Sequence, residues 1–90
     1  MMSSKQIVVR FEPESNAEFV GEDCVGKYES ALLKEFKSLY PEADIELSDD
    51  SPMGTKVDSY GFEHLEESEI EDVIFEAMNR VGNDLTNICA

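Results

Sequence analysis

The apolar residues of the segment EESEIEDVIFEAMNRV, residues 66–81, recur at intervals of three and four positions. An α-helix turns through 100° per residue, so side chains at these intervals lie on one face, and that face packs against a core. The segment therefore predicts an amphipathic helix. The residues expected to be buried are Ile70, Val73, Ile74, Ala77, Met78 and Val81. Ser68 and Glu71 fit a capping box at its start, and a start one turn earlier, near His64, is the alternative; Gly82 suits the position after its end.

The same segment carries six carboxylates and one arginine, Arg80. The helical phase predicts an acidic ridge on the solvent side, which we define as Glu66, Glu69, Asp72 and Glu76. Glu71 and Phe75 form a row flanking this ridge. An aromatic residue beside a charged face is typical of an interface anchor, although the third strand, the tail or a dimer mate would equally cover Phe75. The ridge is either a solvated coat or a surface that another molecule binds.

Shorter patterns predict the remaining elements. QIVVRFE, residues 6–12, alternates as a strand does, and Pro13 ends it. Residues 13–26 are polar and interrupted by glycine, which indicates a long loop, and a second amphipathic helix begins at Val25 and ends before Pro41. ADIELS and TKVDSYG, residues 43–48 and 55–61, predict strands that pair as a hairpin across the turn DDSPMG.

This order of elements predicts an α+β fold, β-α-β-β-α, with a three-stranded mixed sheet and two helices packed on one face. A right-handed crossover makes the first two strands parallel if they are adjacent, and the third strand is antiparallel to the second. Residues 1–90 are expected to form a single small acidic domain, of which residues 82–90 are a loose C-terminal tail.

The charge balance limits the classes of partner. The chain has 21 acidic and 7 basic side chains and a formal net charge of −14, beyond the magnitude of about 2–8 that suits the solubility of a small domain. Either a partner benefits from this field, or the protein works in a high-salt interior. We expect no direct binding to nucleic acid, which requires a basic surface. The apolar runs are too short for a signal peptide or a membrane span, so we expect no membrane association.

No residue pattern predicts catalysis, a cofactor or a metal site. Cys24 and Cys89 match neither a metal-ligand spacing nor a disulfide framework, so free thiols in a reducing cytoplasm are expected. The run DIELSDDS has Asp49 where a calcium-binding EF-hand loop requires glycine. The lone His64 is expected at the surface or as a helix cap. An acid/base pair of carboxylates requires a pocket that a domain of this size hardly offers.

Two stretches resemble a known family. KVDSYGFEHLEESEIEDVIFEAM, residues 56–78, and ALLKEFKSLYPEADIELS, residues 31–48, are similar to the DNA-damage-inducible protein I (DinI) family of small acidic modulators of RecA. The resemblance spans roughly residues 5–80. It implies a β-α-β-β-α fold and an acidic face of the last helix that contacts the RecA filament in the SOS response to DNA damage.

The sequence thus leads to two hypotheses. The first is a non-enzymatic cytoplasmic regulator, a monomer or weak dimer, that binds a protein partner, by resemblance the RecA filament. Its partner-binding residues are Glu66, Glu69, Glu71, Asp72, Phe75 and Glu76. The alternative is a DNA mimic, such as a phage inhibitor of a restriction nuclease or a CRISPR effector. Its acidic surface also includes Asp44, Glu46, Asp49 and Asp50.

Overall fold

The strand β1 (Gln6–Arg10) lies in the middle of the sheet in the computed structural model, which describes residues 5–89. Its neighbours are β2 (Asp44–Ser48) and β3 (Lys56–Tyr60), in the order β2-β1-β3. The described residues also form four helices, α1 (Ser15–Val20), α2 (Val25–Leu39), α3 (His64–Asn83) and α4 (Leu85–Ile88). The α+β class and the three-stranded mixed sheet predicted from the sequence are confirmed.

The register of the sheet explains its mixed character. β1 pairs with β2 in parallel, with Ile7 opposite Ile45, and with β3 in antiparallel, with Val9 opposite Val57. The predicted hairpin of β2 and β3 is therefore wrong, because β1 separates the two strands. β1 suits the central place because Ile7, Val8 and Val9 are consecutive apolar residues and all are buried, whereas neither outer strand contains a fully buried residue.

The connection from β2 to β3 crosses the end of β1 instead of reversing directly. The Ser51 amide donates a hydrogen bond to the Phe11 carbonyl over 3.0 Å, and Ser51 itself is almost fully buried. The Gly54 amide donates to the Glu12 carboxylate over 2.6 Å, at a positive φ of 66° that favours glycine. These bonds hold the loop against β1, so the two outer strands come to lie on opposite sides of it.

The helices α2 and α3 pack on one face of the sheet. The core lies between Ile7, Val9 and Phe11 of the first strand region and the apolar stripes of the two helices. The stripe of α2 contributes Tyr28, Leu32 and Phe36, and that of α3 contributes Ile70, Ile74, Ala77 and Val81. Val73 and Met78 are half-buried, because they lie at the two edges of the α3 stripe. The helical phase predicted for residues 66–81 is confirmed.

The helix α3 begins earlier and ends later than the Ser68 and Gly82 signals indicate. Glu63 is its N-cap residue and forms a reciprocal capping box with Glu66, so the start near His64 is the correct alternative. Carboxylates in the first turn also interact favourably with the positive end of the helix dipole. Gly82 lies inside the last turn, because the chain continues in helical geometry to Asn83.

The segment predicted as a long loop contains a short helix. Within residues 13–26, α1 spans Ser15–Val20, so the loop prediction is wrong there. Asn16 is buried and its amide donates to the Glu29 carboxylate over 3.2 Å. The Phe19 ring meets Tyr28 edge to face at 5.7 Å between centroids. Contacts with α2, rather than an apolar period of its own, hold α1 in place.

The prediction of a loose tail and free thiols is also wrong. Residues 85–88 form α4, and its Leu85 and Ile88 pack against the core. Cys89 forms a disulfide with Cys24, with the two Cα atoms 5.5 Å apart. The pairing arises because α3 runs back along α2 and returns the chain end to the residue that precedes α2. A sequence separation of 65 residues gives no local signal of this contact.

Replacing Ile74 with aspartate tests the packing of α3. Ile74 is fully buried, and an unpaired carboxylate at this position costs at least about 3 kcal/mol, a large part of the stability of a small domain. We expect Ile74→Asp to abolish the cooperative thermal transition measured by circular dichroism. Asn79→Asp, at an exposed position of the same helix, is the control and should melt normally. A native melting curve for Ile74→Asp would contradict the helical phase.

Reduction of the disulfide tests the attachment of α4. A cross-link over 65 residues restricts the unfolded chain and contributes roughly 2–4 kcal/mol. We expect urea unfolding with reductant to show a free energy of unfolding lower by that amount. A variant with both cysteines changed to serine should resemble the reduced protein and be insensitive to reductant. Equal unfolding curves with and without reductant would show that the bond does not constrain the chain.

Candidate functional site

The acidic ridge lies along the solvent side of α3. Glu69, Asp72 and Glu76 are exposed because they lie on the side of the helix opposite its buried stripe. Glu66 lies four residues before the buried Ile70 and is exposed in the first turn of the helix. The two remaining carboxylates of this stretch, Glu67 and Glu71, are exposed as well and lie nearer β3. With a rise of 1.5 Å per residue, the six carboxylates from residue 66 to residue 76 span about 15 Å. Their axial spacing is thus one negative charge per about 3 Å.

The row flanking the ridge is less uniform than its sequence pattern indicates. Glu71 is exposed and lines a shallow groove between α3 and β3, together with Glu67 and Tyr60. Phe75 is half-buried, so part of its ring is accessible. The six predicted partner-binding residues therefore lie on one helix, but Phe75 offers only part of its surface to a partner.

Two residues of the ridge also take part in contacts that stabilise the fold. Glu66 accepts a hydrogen bond from the Glu63 amide over 3.4 Å in the capping box. Glu76 lies 3.8 Å from the guanidinium of Arg80, which also binds Glu35 of α2 over 3.1 Å. Arg80 thus joins α2 to α3 and reduces the negative potential at one end of the ridge. This ion pair lies at the carboxyl-terminal end of the ridge, away from Glu69 and Asp72 in its middle.

A narrow cleft adjoins the amino-terminal end of the ridge. Its volume is about 190 Å³, and Tyr40, Phe62, Glu66 and Glu69 are among its lining residues. The Tyr40 and Phe62 rings meet edge to face, with centroids 6.2 Å apart. Burial raises the pKa of Tyr40, and the negative charges of Glu69, Glu42 and Glu66 raise it further. Three carboxylates therefore act electrostatically on one aromatic side chain.

The alternative acidic surface lies on the side of the sheet that the helices leave uncovered. Asp44 and Glu46 of β2 are exposed, because they alternate with Ile45 and Leu47, which pack against the core. Asp49 and Asp50 are exposed in the connection that follows β2. This surface and the acidic ridge consequently belong to opposite sides of the molecule.

Arg10 neutralises part of the alternative acidic surface. Its guanidinium donates to Asp58 and to Asp50, each over 2.6 Å. The hydrogen bond to Asp58 has the largest effect on the pKa of Arg10 and raises it, and the bond to Asp50 raises it further. The bond from Arg10 also lowers the pKa of Asp50. This cluster was not predicted from the sequence. The alternation of β1 places Arg10 on the face opposite Ile7 and Val9, but the partners of Arg10 depend on the order of the strands, which the sequence left open.

Other candidate chemistry is sparse in the described part of the chain. Within residues 5–89, no three His, Cys, Asp or Glu side chains are grouped so as to hold a metal ion. His64 is highly exposed and lies 3.8 Å from Glu67. Over the same residues, none of the helices combines the length and the apolar character needed to cross a membrane.

Comparisons of this chain with protein-family models, with curated proteins and with solved structures find no match.

Proposed function

We propose that this protein is a non-enzymatic acidic regulator whose ridge on α3 binds a basic surface of a protein partner. The observation that carries the proposal is the row of exposed carboxylates on a helix whose opposite face is locked into the core. By the resemblance of its sequence to the DinI family, the partner is the RecA filament and the setting is the SOS response.

The charge density of α3 supports a partner that also binds DNA. One strand of duplex DNA carries one phosphate per about 3.4 Å along the axis, close to the axial spacing of the six carboxylates of α3. A basic loop that faces DNA would therefore meet a similar density of negative charge along α3, where Glu67 and Glu71 add to the four carboxylates of the ridge. Such complementarity acts mainly by speeding encounter, and it suppresses binding to acidic surfaces. The net charge of −14 adds a long-range contribution to the same effect.

The cysteines favour a binding role over nucleophilic catalysis. The sulfur atoms of Cys24 and Cys89 are joined to each other, so neither is a free thiolate. We place the protein in the cytoplasm as part of the proposal, although disulfides are rare in that compartment. The proposal therefore requires that the ridge remain formed after reduction. This requirement is physically reasonable, because the bond joins α4 to the start of α2 and includes no residue of the ridge.

A second candidate is the DNA mimic that inhibits a nuclease or a CRISPR effector. The exposure of Asp44, Glu46 and Asp49 favours it, since these acids extend the negative surface beyond α3. The two acidic surfaces belong to opposite sides of the sheet, so a partner that uses both must enclose the protein. A regulator that docks through the ridge requires only one side. The two functions therefore differ in which carboxylates matter.

Two triple variants with equal changes in charge separate these functions. In the ridge variant, Glu69, Asp72 and Glu76 become Gln, Asn and Gln. In the sheet variant, Asp44, Glu46 and Asp49 become Asn, Gln and Asn. If each ridge charge contributes about 0.5–1 kcal/mol, the ridge variant binds RecA filaments roughly 10- to 100-fold more weakly. The loss should lie mainly in the association rate and should shrink at high salt. Biolayer interferometry at two salt concentrations measures both rates.

The sheet variant is the matched control, and we expect its affinity for RecA filaments to stay close to that of the unchanged protein. Both variants should melt at or above the original temperature, since each removes like charges from a crowded surface. Equal losses in the two variants would favour the DNA mimic. Unchanged binding by a folded ridge variant would show that the ridge is a solvated coat.

A further inference from the structure

The cleft at the amino-terminal end of the ridge already holds a cation from this chain. The Lys5 ammonium lies over the Phe62 ring, 5.3 Å from its centroid, within the distance of about 6 Å at which cation–π attraction operates. Lys5 also lines the cleft together with Glu42 and Ile70. A cation of this chain thus already contacts an aromatic ring at the wall of the cleft.

The walls of the cleft are suited to a positively charged side chain. Phe62 offers a ring face, and Tyr40 is held edge to face against it. Glu66 and Glu69 supply negative charge at the rim, and this charge adds to the effect of burial, which is the main cause of the raised pKa of Tyr40. A volume of about 190 Å³ is ample for the head group of lysine or arginine, since a cavity of about 150 Å³ holds benzene. The contact between the two rings and the contact of the Lys5 ammonium with Phe62 are observations separate from the exposure of the carboxylates.

We infer that this cleft is a recognition site for one lysine or arginine side chain of the basic partner, which enters it in place of Lys5. The inference rests on the proposed function, because Glu66 and Glu69 belong both to the cleft and to the acidic ridge. It adds a specific contact to a surface otherwise defined by charge alone. A desolvated cation that packs on an aromatic ring is a contact strong enough to be among the few that dominate an interface.

Lys5 acts as an internal competitor in this account. A partner side chain must displace the Lys5 ammonium from the Phe62 ring, so the apparent affinity is reduced by the fraction of molecules in which Lys5 occupies the cleft. Removing the ammonium while keeping an unbranched apolar stem should therefore tighten binding of a cation. The same change elsewhere on the surface should act only through net charge.

The test uses small probes and the full chain. N-acetyl-arginine amide and N-acetyl-lysine amide are titrated into ¹⁵N- and ¹³C-labelled protein, and N-acetyl-glutamine amide serves as the neutral control. We expect weak, saturable shifts of the Tyr40 and Phe62 ring resonances with the two cationic probes and none with the neutral one. Linear, unsaturated shifts spread over all exposed carboxylates would overturn the proposal, since they report general charge attraction.

Matched variants make the test specific. Lys5→Met should tighten probe binding by about two- to fivefold, the range expected for one cation–π contact, whereas Lys27→Met on α2 should leave it nearly unchanged. Phe62→Leu should weaken binding by a similar factor. Glu69→Gln should weaken it more than Glu76→Gln, which removes the same charge near Arg80. Equal effects of Lys5→Met and Lys27→Met, or of Glu69→Gln and Glu76→Gln, would contradict the assignment of the cleft, provided that the variants keep their native spectra.

The probe assay and the partner assay fail in distinguishable ways. If the probes do not saturate the cleft while the ridge variant still loses RecA binding, the cleft inference is wrong and the proposed function stands. If the probes bind in the cleft but the protein has no affinity for RecA filaments, the cleft is supported and the identity of the partner is wrong.

Discussion

The pairing of β1 with both of its neighbours is the interaction on which the rest of this structure depends. Among the strands of residues 5–89, β1 alone has three consecutive buried residues, Ile7, Val8 and Val9, and both outer strands hydrogen-bond to it. Its inner face, continued by Phe11, forms the floor on which α2 and α3 pack. Because that floor lies on one side of the sheet, each helix can bury a single stripe. The opposite side of each helix must face solvent.

The distribution of charge follows from this arrangement. Burial of the α3 stripe directs a dense row of carboxylates outward, where they repel one another at a cost to stability. Two arginines offset part of this cost at structurally useful places. Arg80 links α3 to α2, and Arg10 binds two carboxylates on the uncovered side of the sheet. The middle of the ridge keeps its negative field, which a basic partner surface would complement.

Sequence patterns predicted the elements whose periodicity is strong. The stripe of α3 and the alternation of β2 follow from which side chains must be buried, and the structure confirms them. The helix α1 has few apolar residues and depends on contacts with α2, so it has no periodic signal. The hairpin prediction relied on the local turn chemistry of DDSPMG. The three successive apolar residues of β1 are typical of a central strand and indicated the strand order better than the turn residues did.

Contacts between distant parts of the chain could not be predicted in this way. The Cys24–Cys89 bond and the Arg10 cluster depend on which elements lie side by side, which a single sequence does not specify. The candidate site could be predicted only in part. The helical phase correctly placed the ridge carboxylates at the surface, whereas the cleft between Tyr40 and Phe62 required the end of α2 to meet the start of α3.

The central claim is that a partner binds the carboxylates of α3 rather than those of the sheet. Zero-length carbodiimide cross-linking tests it directly, because this reagent joins a carboxylate to an amine only when the two are in contact. The protein is cross-linked to assembled RecA filaments, and the joined residues are mapped by mass spectrometry. The account predicts cross-links from Glu66, Glu69, Asp72 and Glu76 to RecA lysines. Cross-links confined to Asp44, Glu46 and Asp49, or cross-links no more frequent than with an acidic control protein, would contradict it.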